Sequence, residues 1–170
     1  FKDVQESKTL GRALQSGLPS ERMRLFAQPI VHLRNPNRSG AEILLRVLND
    51  DGIASPPGRF LQAAEQQGAM PRVDRWVMNS VLEFLESHDP YLREIGFVSV
   101  NLSGSSLNDE ACVNDLYSMF AEHKLVANKI CVEITEAVAL TDITTTARFM
   151  DRLRQFGVGV ALDDFGAGYT

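Results

Sequence analysis

The chain has 170 residues, two cysteines and a net charge of −5, the size and composition of one globular domain. Its basic residues are scattered, which argues against a nucleic-acid polymer as partner, because such binding depends on clustered Lys and Arg. The chain carries neither a run of about 18 apolar residues nor a signal-peptide pattern, so we expect no membrane insertion in this region. We expect a cytoplasmic location, which a membrane-tethered longer parent would also allow. Cys112 and Cys131 follow no zinc-binding or disulfide spacing.

The first part of the chain predicts a linker helix followed by a β-hairpin. Residues 1–22 are polar, with a loose helical pattern that stops at residues 17–19, and we interpret them as a linker helix from an upstream domain. Two strand patterns follow, over residues 24–33 and 41–48, and a short polar turn joins them. This arrangement is typical of an antiparallel pair.

The rest of the chain alternates between helices and strands. Helical patterns cover residues 59–67 and then a longer segment with apolar positions from Val73 to Leu85. After it come strands at 96–103, 129–135 and 159–164, separated by helices at 109–123 and 142–156. Alternation in units of about thirty residues predicts βαβ crossovers and a parallel sheet.

Polar residues interrupt four of the apolar strands. They are Glu42, Asn101, Glu133 and the pair Asp163 and Asp164, and we place all of them in the C-terminal halves of their strands. Taken singly, each has an ordinary interpretation, such as a solvated strand end or, for Asp164, a helix N-cap. Together they predict a site at the active face of a (β/α)₈ barrel. Oxygen ligands of this kind suit Mg²⁺ or Mn²⁺.

Six segments of the chain together carry a family resemblance. They are FAQPIVHL, AEILLR, SPPGRFLQAAEQQG, SVNLSGSSL, VEITEAV and ALDDFGAGYT. These segments resemble the motifs of the EAL-domain family of cyclic di-GMP phosphodiesterases, over about residues 22–170. Ile43 stands where the family name has alanine, and Ala167 where threonine is also common. Neither departure removes a polar residue from the predicted site.

The resemblance implies a TIM-like (β/α)₈ barrel whose first strand is antiparallel. Residues 23–170 would contain about five of its strands and end before the last three, because a complete barrel takes about 250 residues. The family carries a lysine, a glutamate and a glutamine on those last strands. We therefore expect residues 1–170 alone to be inactive.

The resemblance also assigns roles to individual residues. It implies hydrolysis of cyclic di-GMP to linear pGpG with two Mg²⁺ or Mn²⁺ ions, and it implies a homodimer with an upstream sensory or GGDEF domain. The metal ligands would be Glu42, Asn101, Glu133, Asp163 and Asp164, of which Glu42, Asp163 and Asp164 are also the catalytic residues. Gln28, Leu45 and Arg46 would bind the substrate, and Glu136 would steady the loop at residues 165–169.

Two alternatives stay open at the level of sequence. The first is a non-catalytic receptor or scaffold that binds cyclic di-GMP, and the second is an unrelated Mg²⁺-dependent barrel. Retention of all five metal-ligand candidates favours the enzyme over the receptor.

Overall fold

The structure, a computed structural model, describes residue 14 and residues 16–35, 39–88 and 95–164. Most of the predicted linker helix and the loop at 165–170 lie outside these residues. The strands are β1 (Met23–Ile30), β2 (Gly40–Leu48), β3 (Ala54–Ser55), β4 (Phe97–Asn101), β5 (Ile130–Thr135) and β6 (Gly159–Asp163). The α-helices are α1 (Gly58–Gln66), α2 (Met70–Ser87), α3 (Gly104–Leu107), α4 (Glu110–Glu122), α5 (Lys124–Ala127), α6 (Glu136–Thr141) and α7 (Ile143–Gln155).

The strands form one mixed sheet in the order β1-β2-β4-β5-β6, with β3 paired to β2. Strands β2, β4, β5 and β6 run parallel to one another, whereas β1 and β3 are antiparallel to β2. The predicted α/β class with an antiparallel first strand is therefore confirmed. The connections from β4 to β5 and from β5 to β6 each contain helices, as parallel neighbours require.

One face of the sheet is buried under helices. Alternate residues of the central strands point to this face and join a single apolar core with α1, α2, α4 and α7. Phe120 and Leu153, for example, are fully buried. The buried apolar residues of the sheet are Met23, Ala41, Val47, Val98, Val100, Ile130, Val132 and Ile134.

The N-terminal segment contacts the helices where it is described. Leu14 is fully buried, and the Arg72 Nη2 of α2 donates to its carbonyl oxygen at 2.6 Å. Further along, the Arg22 guanidinium donates two hydrogen bonds to the Leu48 carbonyl, at 2.9 and 2.7 Å. The end of the predicted linker is thus attached to α2 and to β2.

Three predicted strand positions need correction. Glu42 does not lie in the C-terminal half of its strand but is the third of nine residues of β2, and the predicted strand over residues 41–48 already placed it near the start. Strand β1 ends at Ile30 instead of residue 33, since its partner begins at Gly40. Strand β4 ends at Asn101 because Ser103 already caps the next helix.

The helices match the predicted patterns, and side-chain caps explain where two of them begin. Asp109 accepts from the Cys112 N–H at 2.8 Å at the start of α4, and Asp142 accepts from the Thr145 N–H at 2.9 Å at the start of α7. The short helices α3, α5 and α6 were not predicted. No helix in the described part of the chain is long and apolar enough to cross a membrane.

Two residues of α2 test how the core stabilises the domain. Leu82 is fully buried and Phe84 is 54% exposed. We expect Leu82→Ala to lower the free energy of unfolding by about 2–5 kcal/mol, because it leaves a cavity. We expect Phe84→Ala to change it by less than about 1 kcal/mol. Urea unfolding of the full-length protein measures both, and equal losses would contradict the assigned packing.

Candidate functional site

The predicted oxygen donors lie on the sheet face opposite the helices. Glu42 pairs in register with Ser99, and two residues along β4 Asn101 pairs with Glu133 of β5. Because side chains alternate between faces, Glu42, Asn101 and Glu133 share one face. Asp163 follows on the same face, since it pairs with the residue two positions beyond Glu133. The structure thus aligns the donors of four neighbouring parallel strands.

Direct contact links the first two donors. The Asn101 Nδ2 donates to Glu42 Oε1 at 3.0 Å, across the boundary between β2 and β4. This bond leaves the amide oxygen of Asn101 available as a ligand on the open face, where Asn101 is exposed and Glu42 is half-buried.

The electrostatics of the face are those of a negatively charged cluster. Burial raises the pKa of the Glu133 carboxyl, and repulsion from Glu42 and Asp163 raises it further, while the Ser99 hydroxyl opposes the rise. A bound cation would neutralise this repulsion. Oxygen donors of this kind fit Mg²⁺ or Mn²⁺ by chemistry. Among the described residues, no three Asp, Glu, His or Cys side chains are grouped closely enough to hold a metal ion.

The aspartate doublet ends β6 with an unusual backbone. Asp164 has a φ of 54°, in the left-handed region that most non-glycine residues avoid, and its N–H donates to Asp163 Oδ1 at 2.9 Å. Aspartate tolerates this conformation better than most residues, and such outliers are enriched at functional sites. Both carboxylates are exposed at the end of the strand.

Two of the three predicted substrate-binding residues share the donor face. Gln28 lies directly opposite Glu42 on β1. Arg46 lies on the same face four residues beyond Glu42, with its guanidinium 6.0 Å from the centre of the Phe26 ring. Leu45 does not join them, because it is on the helix-covered face and packs against the core. The structure therefore does not bring Leu45 to the donors.

Glu136 is the first residue of α6, directly after β5, and is half-buried. The loop that it would steady, residues 165–169, lies outside the described residues. Its stabilising role stays a prediction.

A buried carboxylate beside the site was missed at the level of sequence. Asp74 of α2 is 7% exposed, and its Oδ2 accepts from the Ser103 N–H at 2.9 Å and from the Ser106 hydroxyl at 2.6 Å. Asp74 lies between Val73 and Val77 on the apolar stripe of the helix. An acidic residue within such a stripe could have indicated a buried carboxylate from the sequence alone. Ser99, a polar residue two positions before Asn101 in an apolar strand, gave a similar signal.

Comparison with known proteins places the chain in a family. The EAL domain family matches residues 11–170, and the chain belongs to that family. The uncharacterized protein Rv1354c of Mycobacterium tuberculosis is 33% identical over 92% of this chain, and the cyclic di-GMP phosphodiesterase PdeB of Shewanella oneidensis is 31% identical over 92%. The chain spans 25% and 18% of these relatives.

A solved structure shows the same fold. The FimX EAL domain from Pseudomonas aeruginosa, bound to c-di-GMP, has a TM-score of 0.78 and 27% identity. The match covers 94% of this chain and 62% of that one.

Asp74 also allows a test by pH. Burial raises the pKa of its carboxyl, although the Ser106 and Ser103 hydrogen bonds oppose the rise. When the pKa is higher in the folded state than in the unfolded state, the neutral acid adds to the stability of the fold. This added stability is complete at a pH below the pKa of the unfolded state, and it is lost as the pH rises through the pKa of the folded state. Asparagine resembles the neutral acid at every pH. The stability of Asp74→Asn relative to wild type should therefore increase from about pH 4 to about pH 8.

Thermal unfolding of both full-length proteins across this range measures the difference. The control is Asp115→Asn in the same protein, where Asp115 forms a part-buried ion pair with Arg75. A stability difference between Asp74→Asn and wild type that does not change with pH would contradict the raised pKa.

Proposed function

We propose that this chain is part of a metal-dependent phosphodiesterase that hydrolyses cyclic di-GMP to linear pGpG. The observation that carries the proposal is the alignment of oxygen donors from β2, β4, β5 and β6 on one face of the sheet, with Arg46 on the same face. Family membership supports it, as do the phosphodiesterase PdeB and the FimX EAL domain bound to c-di-GMP.

The family resemblance assigns the residues that would hold the metal ions, and the alignment of the strands supports this assignment. Glu42, Asn101, Glu133 and Asp163 would bind one Mg²⁺ or Mn²⁺ ion, and Asp163 and Asp164 would bind a second. When bound, two such ions lower the pKa of the attacking water and stabilise charge on the phosphate. The donor pairing between Asn101 and Glu42 supports the first group, because it already orients two ligands side by side.

The other residues of the face would bind and orient the dinucleotide. Arg46 stands about 13 Å from Glu42 along the strand, at about 3.3 Å per residue. As the family resemblance implies, it would contact the phosphate that is not cut, by a charge-assisted hydrogen bond. Gln28, directly opposite Glu42, would position the substrate beside the metal ligands.

The wider organisation is part of the same proposal. Residues 1–22 would be a linker helix from an upstream sensory or GGDEF domain, and the buried Leu14 supports a linker whose end is docked on the domain. The protein would act as a homodimer in the cytoplasm.

A non-catalytic cyclic di-GMP receptor is the second candidate. The FimX EAL domain bound to c-di-GMP supports it, because in that structure a domain of this fold holds the dinucleotide. The two candidates share the binding face and differ in turnover.

Metal binding tests this proposal in the protein extended through its complete barrel. Glu42→Gln and Asp163→Asn should each weaken Mn²⁺ binding at least about tenfold, because each removes a charged ligand. Titration calorimetry measures this. Glu83→Gln, an exposed residue of α2 bonded to Asn79, is the matched control and should bind as wild type does. Wild-type affinity in both site variants would contradict the ligand assignment.

Turnover separates the enzyme from the receptor. With Mg²⁺ present, the wild-type protein extended through the complete barrel should convert cyclic di-GMP to pGpG and its Glu42→Ala variant should not. Arg46→Ala should mainly weaken dinucleotide binding, by about 1.5–3 kcal/mol, through loss of a charge-assisted contact. Arg148→Ala, on the exposed side of α7, is the control for loss of a positive charge. Tight binding by wild type with no pGpG would favour the receptor.

A further inference from the structure

We propose that Asp74 is a positioning residue that holds the backbone following β4 and thereby fixes Asn101 at the site. This inference rests on the proposed function, because it assigns Asn101 to the metal. It adds a residue from outside the open face to the machinery of the site. Asp74 lies on α2, behind the sheet, and touches none of the proposed metal ligands directly.

The Asp74 carboxylate holds the backbone two residues beyond Asn101, at Ser103. The single oxygen Asp74 Oδ2 accepts both the Ser103 N–H and the Ser106 hydroxyl. The Ser103 hydroxyl in turn donates to the Ser106 oxygen at 3.0 Å and accepts from the Ser106 N–H at 3.2 Å. The turn that begins α3 is thus tied to α2 through one carboxylate.

The residue between Asn101 and this anchor is fixed as well. Leu102 is 5% exposed, and its N–H donates to the Glu133 carbonyl at 2.9 Å. The backbone that leaves Asn101 is therefore held first by β5 and then by Asp74. Because β4 is only five residues long and ends at Asn101, this end of the strand depends on contacts beyond it.

Two further contacts hold the same turn. The Ser105 hydroxyl donates to Glu65 Oε1 of α1 at 2.5 Å. Gly104 packs closely against α6, because a β-carbon there would lie 2.8 Å from the Val138 Cγ2 methyl, which would have to move. Residues of α1, α2 and α6 thus hold the turn, and the hydrogen bond between Asp74 and Ser106 is the most buried of the polar contacts that the turn makes.

The stability of the fold alone does not explain a carboxylate at position 74. It is buried, and in the described part of the chain no Lys, Arg or His forms an ion pair with it. A carboxylate in such surroundings pays for desolvation, and an apolar residue of similar volume is often at least as stable. Its geometric effect on the segment after Asn101 is what an apolar residue could not supply.

The experiment compares three variants of the full-length protein. Asp74→Ala removes the acceptor, Asp74→Asn keeps an acceptor oxygen at the same place, and Leu82→Ala removes a fully buried side chain of the same helix, eight residues beyond Asp74. Titration calorimetry gives the Mn²⁺ affinity of each. The side-chain amide signal of Asn101 in the metal-free protein, assigned by its loss in Asn101→Ala, reports the hydrogen bond to Glu42.

We expect Asp74→Ala to weaken Mn²⁺ binding about tenfold and to shift the Asn101 amide signal, because supporting residues of metal ligands have effects of this size. Asp74→Asn should restore both properties to near wild type. Leu82→Ala should lower the melting temperature and leave both unchanged. Should Asp74→Ala fail to fold, Ser106→Ala, which removes one of the two bonds, should produce the same two changes in weaker form.

Other outcomes overturn the inference. Equal effects of Asp74→Ala and Leu82→Ala on Mn²⁺ affinity would show that Asp74 contributes only stability. An unshifted Asn101 signal in Asp74→Ala would show the same without any metal. If wild type binds no Mn²⁺, the proposed function fails, and the Asn101 signal still decides whether Asp74 positions that side chain.

Discussion

The site depends on the alternation of side chains along the strands of a parallel sheet. Every second residue of β2, β4 and β5 is apolar and packs under the helices, so the residues between them must face the other way. Glu42, Asn101 and Glu133 occupy those positions. A shift of one residue in the register would bury the carboxylates and expose the core, which makes the register as strongly determined as the core itself.

This constraint explains why much of the fold was predictable from sequence. The apolar runs of β4, β5 and β6 and the helical periodicity between them predicted the parallel sheet, and the structure confirms it. The polar residues within those runs marked the open face for the same reason. Asn101 ends the largely apolar strand FVSVN, and Glu133 interrupts the largely apolar strand ICVEIT.

What sequence reasoning missed depends on three-dimensional contacts. Glu42 was placed too late in its strand, and its level in the sheet is set by the pairing of β2 with β4, where it lies beside Ser99. Leu45 packs against the core by strand alternation, and its assignment to the substrate stays a prediction. Asp74 was not recognised because its partners lie 29 and 32 residues away in the chain. Local patterns carry no information about such partners.

The most direct test of this account is a crystal structure of the complete domain with cyclic di-GMP and Mn²⁺, with diffraction data collected at the manganese absorption edge. We expect an anomalous peak on the open face within about 2.0–2.3 Å of oxygens from Glu42, Asn101, Glu133 and Asp163. The dinucleotide should extend from that peak towards Arg46. A bound dinucleotide with no manganese peak on this face, or with manganese ligated by other residues, would contradict the account.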